Sequence, residues 1–275
     1  MIQSVLSADA RLAGSNYALA PDVLFLRIQD GSARLLDLGG NFYAVSQTGA
    51  QMLDKTLAMG SASAAASMAV EYHCDLCRIQ YDLSAFLRDL EKEQLIRHTR
   101  SPRVRRHKKI WPSLVLVPLL HGLSLLPVAQ SHKTWLLLAL ASLAVRLSGW
   151  PTTVACWQAS FARVRTCRPA PREHIVQEVH RVVCSVAGRH FFPVACKERA
   201  LACWWLLQTM GVAATLVVGV SVFPLDCHCW CEVGPYVLSD TQDRCQQFTS
   251  LLRYGREPGP QVYPPVPLGR ECARA

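Results

Sequence analysis

The stretch Phe192-Pro193-Val194-Ala195-Cys196-Lys197-Glu198-Arg199-Ala200-Leu201-Ala202-Cys203-Trp204-Trp205, followed by Cys227-His228-Cys229-Trp230-Cys231-Glu232-Val233 and Tyr236-Val237-Leu238-Ser239-Asp240, decides how this chain is read. Pro193 ends any helix before it, and the run from about Ala195 to Met210 has few breakers and good helix formers, so Cys196 is expected in the first turn of a helix. A thiol is only a few per cent thiolate at neutral pH and needs an imidazole, helped by the positive end of a helix dipole, to become a nucleophile. Cys196, His228 and Asp240 supply nucleophile, base and orienting acid in that order. The free amides of the helix start, that of Cys196 included, suit the oxyanion of a tetrahedral intermediate. The competing reading is that Cys196 is one more small core residue, in a chain with 12 cysteines.

Ala213 to Val222 is rich in Val, Leu and Thr and reads as a buried strand, followed by two shorter ones at about His228–Val233 and Tyr236–Ser239, joined at Gly234-Pro235. Side chains alternate along a strand. A two-residue turn would pair Cys229 with Asp240 and leave His228 and Asp240 on opposite faces. A three-residue turn would put them on one face. The catalytic reading therefore predicts an odd-length turn.

From about Trp135 to Leu252 the chain resembles the transglutaminase-like cysteine peptidases of lasso-peptide biosynthesis. The resemblance is carried by Cys196 with Arg199-Ala200-Leu201-Ala202, by Gly211-Val212 leading into Leu216-Val217-Val218-Gly219-Val220, and by His228-Cys229-Trp230-Cys231-Glu232-Val233 with Asp240 beyond. Relatives usually have a small residue where this chain has Cys229, an aliphatic one at Cys231 and often Ser at Ala200. The resemblance implies that the peptidase separates a leader from the core of a ribosomally made precursor, and that an ATP-dependent lasso cyclase then takes the released amine. Precursor peptide and cyclase are the partners it implies.

The first hundred residues read differently. Asp22–Gln29 and Ala33–Leu38 are strand-like runs around the turn Asp30-Gly31, and Asn41–Ser46 follows Gly39-Gly40 as a third. Helical patterns succeed them at Gln47–Met59, Ser61–Tyr72 and Leu83–Gln94, the last with Leu83, Phe86, Leu87 and Leu90 on one face. Three strands then three helices suggest a small winged-helix domain. Leu36-Asp37-Leu38-Gly39-Gly40-Asn41-Phe42-Tyr43-Ala44-Val45-Ser46 with Thr48-Gly49-Ala50 resembles the leader-recognition element of ribosomal peptide pathways, the fold of the peptide chaperone of pyrroloquinoline quinone synthesis. There a leader adds as a strand to the sheet edge and packs on the third helix. The implied contacts are Asn41, Phe42, Tyr43, Ala44 and Val45 with Leu83, Phe86, Leu87 and Leu90, although an apolar stripe at helical spacing more often simply closes a core.

The expected fold class is thus α+β: a three-stranded winged-helix-like domain over 1–98, a basic linker and apolar segment over 99–133, a papain/transglutaminase-like cysteine peptidase domain over 134–258, and a Pro-rich tail over 259–275. At 275 residues the chain has length for two cores. Much of its net charge of +9 falls between Arg97 and Lys109, a run without interleaved aromatics, so a solvated linker is expected there rather than a nucleic-acid surface. Ile110 to Ser131 has no Lys, Arg, Asp or Glu, yet holds Pro112, Pro118, Pro127 and His121. It reads as a buried or interface helix, with membrane-surface contact as the alternative. The first twenty residues lack a basic start and compact apolar core, so a cytoplasmic site with reduced thiols is expected. Cys74-Asp75-Leu76-Cys77 lacks a second well-spaced pair, so no metal is expected. No phosphate loop or dinucleotide fingerprint is present, and no cofactor is expected. Acyl transfer to an amine, as in a transglutaminase, and a non-catalytic scaffold presenting the leader to a cyclase remain the alternatives to peptide hydrolysis.

Overall fold

A computed structural model of the chain describes residues 2–6, 16–99, 110–161, 173–222, 224–256 and 261–262. The basic run from Arg100 to Lys109 and all of the Pro-rich tail except residues 261–262 lie outside the described residues. Two compact units are formed, one from Met1–Ala129 with Ala139–Ser160, the other from Gln130–Leu138 with Phe161–Ala275.

In the first unit, β1 (Ile2–Leu6), β3 (Val23–Ile28), β4 (Ala33–Asp37) and β5 (Phe42–Val45) form an antiparallel sheet in the order β1-β3-β4-β5, while β2 (Tyr17–Leu19) pairs with a later strand, β6 (Ile96–His98). The sheet therefore has four strands rather than the three expected, with Ile2–Leu6 as the added edge. The helices α1 (Gln47–Met59), α2 (Ser61–Glu71) and α3 (Leu76–Lys92) follow. Ser46 caps α1 by accepting a hydrogen bond from the Gly49 amide (3.2 Å). Asp75 caps α3 by accepting from the Arg78 amide (3.2 Å), which starts that helix seven residues before the expected Leu83. Ile79, Leu83, Leu87 and Leu90, spaced three or four apart, bury one face of α3 against Phe25, Leu35, Leu53 and Met68.

The segment from Ile110 to Ser131 is split between α4 (Ile110–Leu125), which contains Pro118, and the start of α5 (Gln130–Ser148). Pro127 disfavours helical geometry in the residue before it, and α4 ends at Leu125. Among the described residues no helix is long and apolar enough to cross a membrane. Helix α6 (Trp150–Phe161) follows.

The second unit is built on a five-stranded antiparallel sheet. Its strands are β7 (Thr215–Val222), β8 (Leu225–Val233), β9 (Tyr236–Leu238), β10 (Thr249–Tyr254) and β11 (Gln261–Val262), in the order β11-β10-β7-β8-β9. Helix α7 (Glu173–Ala187) packs on α8 (Cys196–Thr209), which packs on β8. Apart from its first turn α8 is buried on nearly every side, from Ala200 through Gln208, as the central helix of a core must be. Gly211 leaves it with φ +79°. The next segment is tied down where Trp204 Nε1 (3.1 Å) and Gln208 Nε2 (2.9 Å) both donate to the Ala214 carbonyl. A short helix, α9 (Gln242–Cys245), joins β9 to β10.

Candidate active site

Cys196 is the first residue of α8. Its N-cap is Ala195, extended and without a side chain that could bond the first turn, so Cys196 stands at the positive end of the helix. The thiol is half-buried. Cys203, Cys229, Cys231 and Cys245 are buried, and Cys227 is half-buried as Cys196 is. Burial pushes the Cys203, Cys229 and Cys231 thiols well up, and Cys227 and Cys245 up to about 12. Those five are protonated and inert at neutral pH.

His228 lies in β8 opposite Gly219 of β7 and is 2% exposed. Its ring stacks toward Trp230 (centroids 5.9 Å apart, planes at 21°) and lies 5.0 Å from Phe248. Trp230 is held in turn: its Nε1 donates to Glu232 (2.7 Å), which also pairs with Arg253, and the ring lies over Gly219. A Cβ at position 219 would come within 2.6 Å of Trp230 Cη2. Only glycine lets the indole lie that close, so Gly219 serves the ring that flanks His228.

The turn between β8 and β9 overturns one expectation and satisfies its purpose by another route. The register Val233↔Tyr236, Glu232↔Val237, Cys231↔Leu238 makes Gly234-Pro235 a two-residue turn, not the odd-length turn predicted. Strict alternation would then send Asp240 to the face opposite His228. Alternation stops first. β9 ends at Leu238, and Ser239 takes φ +72°, a left-handed conformation rare outside glycine. The chain swings round, and Asp240 Oδ2 stands 3.1 Å from His228 Nε2. The two atoms are at ion-pair distance without hydrogen-bond alignment. Between Cys196 and His228 no hydrogen bond is formed among the described residues. The structure thus brings His228 and Asp240 together and places Cys196 at the start of the helix packed on β8, the strand of His228.

Three residues at this site escaped the sequence reading. Arg199, one turn along α8 from Cys196, and Arg244, in α9, each place a guanidinium nitrogen 3.6 Å from Asp240 Oδ2, while Asp240 Oδ1 accepts from the Thr241 amide (2.8 Å). His180, in α7, accepts at Nδ1 from the Ser239 amide (3.2 Å). Arg199 stood inside the quoted motif and offered a signal. His180 is 59 residues from Ser239 and offered none.

Burial lowers the pKa of His228, Asp240 opposes that shift, and Arg244 and Arg199 add to it. The imidazole is therefore neutral at neutral pH, as a general base must be. Nε2 is the ring nitrogen nearer Asp240; in the tautomer that carries its proton there, Nδ1 is the basic nitrogen.

The nine residues named for leader contact all lie in the first unit. Leu83, Leu87 and Leu90 belong to its buried core, as does Val45, while Tyr43 and Phe86 pack against it half-buried. Phe42 is half-buried; Asn41 and Ala44 are exposed. Asp37 donates its amide to the Asn41 carbonyl (2.9 Å). In an antiparallel ladder bonded pairs alternate, so Asn41, Tyr43 and Val45 bond to β4, and Phe42 and Ala44 direct their backbone groups to the open edge of the sheet. Among the described residues no group of three or more His, Cys, Asp or Glu is arranged to hold a metal ion.

No curated protein and no solved structure matches the chain. Residues 136–253, which include α7, α8, β7–β9 and most of β10, match the family model of the transglutaminase-like superfamily, whose members include cysteine peptidases and acyltransferases.

Proposed function

We propose that this chain is a cysteine peptidase of ribosomal peptide maturation, of the lasso-peptide type, which binds a precursor's leader and cleaves it from the core. The observation that carries the reading is the His228–Asp240 contact of 3.1 Å beside a helix that begins at Cys196, within the segment matching the transglutaminase-like superfamily. In the proposed reaction His228 Nδ1 takes the proton of Cys196 as sulfur attacks the scissile carbonyl, and the helix-start amide of Cys196 receives the oxyanion. Asp240 holds the ring and stabilises the imidazolium. The C–N bond breaks as His228 returns the proton to the departing core amine. Water, deprotonated by His228, then releases the leader from sulfur. The open edge of β5, with Phe42, Tyr43 and Phe86 beside it, is the proposed place for the leader, held by strand addition in a winged-helix-like domain. Tethering the leader raises the effective concentration of the scissile bond, so a weakly held core can still be processed. The precursor and an ATP-dependent cyclase are the proposed partners.

The family description favours one second reading, acyl transfer to an amine, which uses the same residues and differs only in the acceptor. Product mass separates the two. Incubating the full chain with a precursor peptide should give free leader and free core for a peptidase and a mass-shifted conjugate for a transferase. An unchanged precursor would contradict both.

A further inference from the structure

We infer that His180 is a positioning residue that sets the aim of Asp240, a role that rests on reading Cys196, His228 and Asp240 as the reacting groups. With a two-residue turn, Asp240 meets His228 only because Ser239 leaves the strand in a left-handed conformation. For a non-glycine residue that conformation is strained and persists only where neighbours enforce it. Leu238 is the last residue of β9 in the ladder, so the Ser239 amide has no strand partner. Ser239 is 1% exposed, which denies it water. His180 Nδ1, 3.2 Å away, takes that amide. Helix α7, which packs on both α8 and β9, thus reaches across to fix the one backbone unit that turns Asp240 toward its partner.

The remaining groups around His180 suit the task. An imidazole accepting at Nδ1 must be neutral and carry its proton on Nε2, and Nε2 lies 3.8 Å from Cys184 Sγ, one turn along α7. The charged groups facing it are Asp240, after β9, and Arg199, on α8; burial and Arg199 lower its pKa and Asp240 opposes them. His180 is therefore an acceptor at neutral pH. In acid its protonated Nδ1 would face the Ser239 N–H donor to donor and release the turn.

Asparagine and glutamine discriminate this role from simple packing. Asn places an oxygen near the position of Nδ1, whereas the Gln oxygen falls nearer that of Nε2. His180→Ala, His180→Asn and His180→Gln should be compared in the full chain, alone and in an Asp240→Ala background. Two readouts are taken: kcat and KM on a precursor peptide, and the pH dependence of Cys196 alkylation by iodoacetamide, resolved by peptide mass spectrometry. Leaving one buried amide unpaired predicts about a tenfold loss of kcat and of the plateau alkylation rate for Ala and Gln, with KM little changed. Asn should recover to within about threefold, and with Asp240 already absent the His180→Ala loss should shrink below about twofold. Equal losses for Asn and Gln, or a full His180→Ala loss in the Asp240→Ala background, would overturn the assignment. If His180→Ala does not fold, the Asn and Gln pair decides. A Cys196 that responds to Asp240→Ala but not to His180→Ala removes the positioning role alone; one that responds to neither removes the proposed catalytic reading with it.

Discussion

Replacing Asp240 with Asn tests how much of the chemistry depends on a carboxylate rather than on shape. Oδ2 faces three donors, His228 Nε2 at 3.1 Å and the guanidinium groups of Arg199 and Arg244 at 3.6 Å each, while Oδ1 accepts from the Thr241 amide. A carboxylate accepts on both sides; an amide cannot. Thr241 is exposed, so water can take over its amide, and the Asn oxygen will turn toward His228. The acceptor is then kept and the charge lost. A hydrogen bond to a charged partner is worth about 1.5–3 kcal/mol, so the imidazolium formed during attack loses that support and kcat should fall about 10- to 150-fold. The pH profile should move too. Asp240 raises the His228 pKa against burial and two arginines, so its removal lowers that pKa further and shifts the acid limb of kcat/KM to lower pH. Peptide hydrolysis between about pH 4 and 9 measures both. A plateau within about twofold of wild type with an unmoved limb would refute the argument that Asp240 supports His228.

Four further outcomes follow from the same geometry. Gly219→Val should drive a side chain into Trp230 and lower both thermal stability and peptide turnover, measured by a melting curve and initial rates; overpacking of this kind costs about 1–3 kcal/mol. Iodoacetamide at neutral pH should label Cys196 and the exposed Cys74 and Cys77 while sparing Cys203, Cys227, Cys229, Cys231 and Cys245, as peptide mass mapping will show. His228 has a folded-state pKa below its unfolded value, so the unfolded chain binds its proton first and stability should fall as pH drops below about 6.5, flattening once the folded pKa is passed; His228→Gln should reduce that slope in chemical unfolding. Ala44→Pro removes an amide aimed at the open sheet edge and none that bonds to β4. It should raise KM for full precursor and leave a short leaderless peptide unaffected, and an equal effect on both substrates would count against strand addition.

How much of this was legible in the sequence varies from element to element. The start of α8 at Cys196 followed from Pro193 and the helix formers behind it, and β7, β8 and β9 from their apolar runs, because these are local signals. The parity of the β8–β9 turn is not legible, because alternation stops at Ser239, whose left-handed φ is imposed by tertiary contact and not by the residue type. Sequence offered no reason to look at α7, since a hydrogen bond spanning 59 positions has no period. The amino-terminal strands β3, β4 and β5 fell close to their expected places around Asp30-Gly31 and Gly39-Gly40. There Gly31 and Gly40 have positive φ, so the turn chemistry is intrinsic. Of the α3 stripe, Leu83, Leu87 and Leu90 closed the core and Phe86 remained half-exposed, a distinction of a few tens of degrees around a helix that a sequence pattern does not resolve.

The central claim is that Cys196 forms a bond to the substrate carbonyl. Mixing the full chain with a precursor peptide, quenching in acid within the first turnover and measuring the intact protein mass tests it directly. The account predicts a gain equal to the leader acyl group, mapped to the Cys196 peptide, that is absent in Cys196→Ala together with all cleavage. Cleavage retained by Cys196→Ala would contradict it.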